Sequence, residues 1–390
     1  MGNSLVTLAK KISFAFLRLR QEASLYESKQ VNSNIVLRVL HVGDFFRGRD
    51  FIERLYGFLP ERKVIGKRFV CPFTKLMEFF DGNVDLIMVE INRLFAETFR
   101  QAGYFTIPQW VEFGRDVVRA IEKRYAGANK SLKSDLKKSR NADFEVVITR
   151  DLDDFYLFYE RMYLPYLAKR FGDTMIAKTR KRLKKDFSAG FLMLIEDKQQ
   201  PIAGAIVRIN GGTVTETALG VLDGLDEFLG MGVSGVIDYH LHEWAANHDK
   251  CYINVGHTRP FPLDGIFFNK RKWLMSVMPD YDGVMDIAVK ICRYDAQMAK
   301  ALKDYPFVFQ SKSGLGVFCT YVGPDKAGIS ETQMLWRRFW TRGLKDLIIV
   351  SPTGYHEKTI EKTKELFGPW IHLFTDIGQA VELQRARYEV

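Results

Sequence analysis

Between residues 144 and 273 the apolar positions change rhythm several times, and each change marks an element. Short apolar runs at 144–150, 191–196, 202–209 and 213–221 predict strands. Longer stretches at 151–170 and 174–187 carry helical spacing, and so does 233–248, which follows a loop bearing Gly230 and Gly232 and precedes a strand at 252–255. The predicted order is therefore strand, two helices, three strands, glycine loop, helix, strand.

On either side of this block the alternation is less regular. Residues 31–140 hold strand-like runs at 35–42 and 84–90 and helix-like runs at 51–56, 91–102 and 111–125, a mixed α/β subdomain. Residues 301–390 read as strand (316–322), helix (331–341), strand (347–351), helix (357–367) and short strand (370–375), a small C-terminal α/β domain. At the start, Leu5, Leu8, Ile12, Phe16 and Leu19 share one side of a predicted amphipathic helix. Lys10 and Lys11 interrupt the apolar core a signal peptide needs, and the stretch is too short to span a bilayer. The helix either lies on an anionic membrane surface or packs against protein. Val6 breaks the myristoylation pattern that Gly2 would begin. The expected division is 1–30, 31–140, 141–300 and 301–390, with 126–134 and 310–316 as linkers.

Composition adds sign and compartment. The formal charge of +10 is concentrated in 115–140, 178–185 and 270–272, which attracts phosphates, anionic lipid or acidic cofactors. The bland reading of 178–185 is a solvated helix face. Cys71, Cys251, Cys292 and Cys319 form no CxxC pair, so neither a disulfide framework nor a zinc site is expected, and a reducing cytoplasm is. Thirty Phe and sixteen Tyr imply aromatic packing or aromatic-lined clefts. No P-loop, GxGxxG, GxSxG or kinase string occurs.

Chemistry is most legible around 213–257. Gly230 and Gly232 let the backbone approach a phosphate, and the first turn of the following helix, Val233 and Ser234, offers free N–H groups with the favourable end of the helix dipole. Ser234 would cap that helix or donate to phosphate; the plainer alternative is an ordinary capped loop. If the strands 213–221 and 252–255 are parallel neighbours that splay, N–H groups near Gly220 and Val221 would polarise a carbonyl in the gap. Glu216 on the first strand could act as base or hold an amine, or be a solvent-facing carboxylate; His257, just past the second, is the other candidate. His240 and His242 do not share a helix face, and no metal site is expected. Tyr156, Tyr159, Tyr163 and Tyr166 follow helical spacing and suit packing, though Tyr163 could serve a leaving group. Lys270 and Lys272 could hold an anionic acceptor with Trp273 as apolar wall.

Several strings carry a resemblance. Residues 131–140 (SLKSDLKKSR), 201–205 (PIAGA), 252–256 (YINVG), Asp264-Gly265 and 270–273 (KRKW) are similar to segments of the GNAT superfamily, in its FemAB-like and polysaccharide-biosynthesis branch. The likeness covers about 130–275. Asn269 and Leu274 depart from the pattern, and 229–232 (LGMG) only approximates the acetyl-CoA loop. The resemblance implies a GNAT-like mixed central sheet with flanking helices, 31–140 being a degenerate first half of a tandem arrangement. It implies an N-acyltransferase that moves an acyl group from acyl-CoA or an aminoacyl-tRNA to an amine-bearing acceptor by direct attack. An inactive binding module of the same fold, or a peripheral membrane or nucleic-acid binder in the cytoplasm, are the other classes left open.

Overall fold

The computed structural model describes residues 20–69, 83–141, 143–172, 175–311 and 313–386. The amphipathic pattern at the start of the chain lies outside them except for its last residue, Arg20, which opens a strand. Two compact units form, and each gathers segments distant in sequence: one takes residues up to 111, 259–267 and 278–390, the other 112–258 and 268–277. These units cut across the divisions read from the sequence. Sheet pairing joins strands regardless of their separation along the chain, and no composition shift marks such joins.

The first unit holds two sheets. Six strands, β1 (Arg20–Lys29), β2 (Val36–Val42), β3 (Arg62–Phe69), β4 (Leu86–Asn92), β5 (Phe105–Pro108) and β13 (Met285–Ile291), run in the order β3-β1-β2-β4-β13-β5. Four more, β14 (Phe307–Ser311), β15 (Gly314–Thr320), β16 (Leu344–Val350) and β17 (Ile371–Phe374), make a second sheet in chain order. Phe105 on β5 packs edge-on to Phe307 and tilted to Phe318, with ring centroids 5.6 and 5.3 Å apart. That aromatic contact places the C-terminal strands on the same core as the N-terminal ones, so much of the aromatic excess is core. The expected linker at 310–316 is the β14–β15 hairpin, where Ser311 pairs with Gly314.

The second unit is built on a seven-stranded sheet of β6 (Val111–Asp116), β7 (Glu145–Thr149), β8 (Gly190–Asp197), β9 (Gln200–Asn210), β10 (Thr213–Val221), β11 (Tyr252–Thr258) and β12 (Ser276–Pro279). Its order is β12-β6-β11-β10-β9-β8-β7, with β7 to β10 antiparallel and β11 parallel to β10. Helices cover both faces, as the alternation on β8 shows. Phe191 packs on Trp244 of the helix Val233–Asn247, while Leu192 joins the cluster of Phe155, Phe158, Leu183 and Phe187. Successive strand residues point to opposite faces, so these two neighbours serve two layers. The mixed α/β class and the element order read from the sequence are those of this unit.

Several local expectations fail for identifiable reasons. Residues 111–116, read as helix, form β6 because Val111, Phe113 and Arg115 are buried at a spacing of two, with Glu112 between them half-buried. The predicted helix from 91 begins only at Ala96; Asn92 ends β4 and its side chain accepts the N–H of Leu94 at 2.9 Å, capping a short turn. The helix expected from 174 starts at Arg180, where Thr179 takes the N-cap position. Residues 151–170 are helical but contain a π-helical segment, Phe158–Tyr163. A Cβ on Gly220 of β10 would stand 2.7 Å from the backbone of Met162 and Tyr163, so the wide turn and the glycine seat one another.

Buried histidines give each unit an acid-sensitive element. In the second unit, burial drives His242 down to about 3, and in the first it drives His41 down to about 4. Unfolding returns each to about 6.5, so the unfolded chain binds the extra protons. Stability is complete above about pH 6.5 and falls as the pH drops toward these folded values. Urea unfolding should show a lower midpoint at about pH 5 than at about pH 7, and His242→Gln should flatten that dependence. An unchanged dependence in the variant would remove His242 as its source.

Candidate functional site

The site begins where β10 and β11 cease to pair. Their parallel register runs only from Thr213–Tyr252 to Thr215–Asn254, although β10 continues to Val221 and β11 to Thr258. Two irregularities produce the parting. On β10 the pairing with β9 shifts between Glu216 and Ala218, leaving Thr217 as a bulge. On β11, Gly256 sits at φ 73°, and its N–H turns to the Asn254 side chain at 2.7 Å. A side chain at that left-handed φ is strained, which is why glycine occupies the kink.

Around this opening stand charged groups from four elements. Glu216, half-buried on β10, is the first residue beyond the paired segment. Burial raises its pKa, and the Lys270 and Lys178 ammonium groups pull it back only in part. Lys270, on the helix Gly265–Lys272, donates to the carbonyls of Gly256 and His257 at 3.0 and 2.9 Å and so staples the kinked end of β11. Lys178 donates through Nζ to the Thr217 carbonyl at 2.7 Å, fixing the bulge, and desolvation lowers its pKa. Asp238, on the helix Val233–Asn247, is pushed well above the usual carboxylate range by burial first and by Glu216 second. The two acidic groups share Lys270 as a cationic neighbour, and mutual repulsion favours a proton kept on one of them. Nothing in the spacing of the sequence pointed to Asp238 or Lys178; 22 residues separate Glu216 from Asp238 and only the strand–helix packing brings them together.

The other expected residues divide. His257 is exposed and its Nε2 lies 3.0 Å from Glu112 Oε1, at the end of β11 beside the Lys270 staple. Tyr163 is buried in the helix-side core, and its hydroxyl accepts the backbone N–H of Lys178 at 2.9 Å; the phenol's observed work is to hold that segment. Lys272 is paired with Asp135. Trp273 corrects an expectation: at 1% exposure it cannot wall an acceptor groove, and instead it packs edge-on to Tyr125 at 6.1 Å and lies 3.4 Å from the Cβ position of Gly235. Trp273 directly follows three basic residues in sequence, but the helix ends at Lys272 and the ring turns into the core.

At the start of the helix Val233–Asn247 the loop reading also changes. Residues Asp226–Gly230 form a helical turn, and Gly232, at φ 88°, is the N-cap. Ser234 makes no capping bond. Space around Gly230 and Gly232 is open, with no atom within 4 Å of a Cβ on either. Val233 is buried beneath this open end, and Gly220 and Val221 pair with Gly204 and Ala203 of β9 on their other side.

No protein-family profile and no curated protein sequence matches the chain. Solved structures with similarity to it include FemX, at 10% identity and TM-score 0.37, covering 68% of this chain and 84% of that one. Another is the C-terminal domain of a putative lysylphosphatidylglycerol synthetase from Agrobacterium fabrum, at 11% identity and TM-score 0.35, covering 76% and 95%. A GCN5-related N-acetyltransferase from Sphaerobacter thermophilus is similar at 11% identity and TM-score 0.31, covering 54% and 60%.

Proposed function

We propose that the second unit is an acyl-transfer site in which an amine acceptor attacks an activated carbonyl directly. The observation that carries this reading is Glu216. It is a carboxylate of raised pKa placed at the first unpaired position of a splayed parallel strand pair, beside a bulge that frees backbone groups. The neutral acceptor amine attacks the carbonyl carbon and forms the new C–N bond, and collapse of the tetrahedral adduct then breaks the bond to the thioester sulfur, or to the ester oxygen of an aminoacyl donor. The ammonium proton passes to Glu216, and the leaving group departs as thiolate or alkoxide and takes up a proton. Backbone N–H groups at Gly220–Val221 stabilise the oxyanion that develops before the bond breaks. Asp238 keeps its own proton, which leaves Glu216 as the one of the two acids that accepts the proton of the amine. Lys270 and Lys178 hold the base anionic when no substrate is bound, and His257, held by Glu112, lines the acceptor side.

A donor carrying a pyrophosphate, such as acyl-CoA, would rest on the N–H groups of Val233 and Ser234. The residues fit that role: the helix is fifteen residues long, its N-cap is a glycine and its approach is open. Two substitutions separate charge from backbone effects here. Gly232→Asn and Gly232→Asp carry similar strain at φ 88°, but only Asp places a carboxylate against the phosphate. Gly232→Asp should raise the KM for acyl-CoA at least about tenfold over Gly232→Asn, one opposed charge costing ~1–3 kcal/mol in a desolvated contact. Equal KM values would move the donor elsewhere. The opening experiment is a thermal-shift titration with acyl-CoA, free CoA and charged tRNA, since only binding to the native state raises the melting temperature. A saturable rise with CoA compounds selects the thioester donor and a rise with tRNA alone the aminoacyl donor. Silence from all of them would leave a binding module without transfer activity.

A further inference from the structure

The second unit carries a surface that acyl transfer does not use, and its two halves ask for different solvents. The apolar half comprises Phe171, Met175, Ile176 and Leu225, all exposed, Ile176 to 68%. Tethers hold these residues in place. Met175 donates its N–H to the Gly172 carbonyl at 3.1 Å, and Gly172 ends the helix Leu164–Phe171. Lys169 of that helix pairs with Asp226 at 3.2 Å, which brings Leu225 alongside. Gly224, at φ 63°, allows this approach, since a Cβ there would lie 2.8 Å from the Pro165 carbonyl.

The basic half continues directly from Ile176. Lys181, Arg182 and Lys185 are exposed on the helix Arg180–Ser188, while Leu183, Asp186 and Phe187 turn inward. Buried Asp186 is shared by three cations, Lys178, Arg182 and Arg208, at 3.4–3.9 Å, and Glu216 also acts on Lys178. Arg182 and Arg208 outnumber that carboxylate, and exposed Lys181 and Lys185 add to the positive charge of this surface.

We propose that this surface docks the protein on an anionic bilayer, with Met175 and Ile176 inserted among the acyl chains and the helix Arg180–Ser188 lying on the headgroups. Apolar side chains held in water beside an excess of positive charge are matched by one environment, a membrane interface with negative lipid. A nucleic acid would satisfy the charges but leave the apolar half in water. Among the described residues no helix is long and apolar enough to cross a membrane, so attachment by this route would be peripheral.

The test is flotation of the full-length chain with vesicles of phosphatidylcholine alone or with phosphatidylglycerol. Three proteins are compared: wild type, Met175→Asp/Ile176→Asp and Lys181→Glu/Lys185→Glu. These positions are exposed, and unchanged melting temperatures would confirm that folding is retained. Wild type should bind only the phosphatidylglycerol vesicles and release with salt. The charge variant should lose more than about tenfold in apparent affinity, each basic residue near the surface contributing about fivefold. The apolar variant should lose a comparable factor at low salt, where the charges still act. Binding unaffected by Met175→Asp/Ile176→Asp overturns the proposal. So does displacement of vesicles by short RNA that binds both wild type and the apolar variant equally, which would assign the basic half to nucleic acid.

Discussion

Glu216→Gln is expected to lower turnover by about 10²–10⁴-fold while leaving donor binding and thermal stability near wild type, the range lost when a general base is removed. The amide keeps the shape of the side chain, so the effect isolates proton transfer from packing. A pH profile sharpens the test. The base acts in its ionised form and its pKa is raised by burial, so activity climbs with pH on an acid limb displaced above the ordinary carboxylate range. Lys270 and Lys178 each pull that pKa down. Lys178→Met should therefore move the acid limb further toward alkaline pH, whereas a purely structural lysine would change the amplitude without moving the limb. Wild-type turnover in Glu216→Gln would reject the assignment and shift attention to direct loss of the proton to water.

The second large effect is on stability. Trp273→Ala should cost about 3–5 kcal/mol, the range for deleting a fully buried large aromatic side chain. Trp273 is among the largest fully buried side chains described, and it packs with Tyr125 and over Gly235 of the helix Val233–Asn247. Its backbone carbonyl also receives a long contact from the Arg115 guanidinium at 3.4 Å. The measurement is the urea midpoint, followed by KM for the acceptor at a temperature where the variant remains folded. A stability loss with unchanged KM fits a core residue. A raised KM without loss of stability would restore the tryptophan to the acceptor groove.

These two residues mark what the sequence could and could not convey. The place of Glu216 on the strand beside the opening follows from local pattern, because a strand residue next to a predicted parting of two strands has few places to be. Trp273 was misplaced because a Trp after Lys-Arg-Lys looks the same whether the helix ends at the surface or turns inward. Lys178 looked like one lysine in a solvated run, yet its ammonium group fixes the Thr217 bulge. An aspartate in a mid-helix stretch such as Asp238 is chemically ordinary in sequence, and only the fold buries it within the electrostatic reach of Glu216.

By itself, then, the sequence determined the mixed α/β class, the order of strands and helices from 144 to 258 and the glycine-led start of the helix Val233–Asn247. Those properties are local: they rest on periodicity and on residues whose backbone preferences act within a few positions. Tertiary structure decided the rest. It set where β10 and β11 part, which carboxylates share ammonium neighbours, which aromatic rings are core and how strands near both ends of the chain join one unit. Desolvation and Coulomb interactions depend on distance through space, and the separation of two residues along the chain does not encode it.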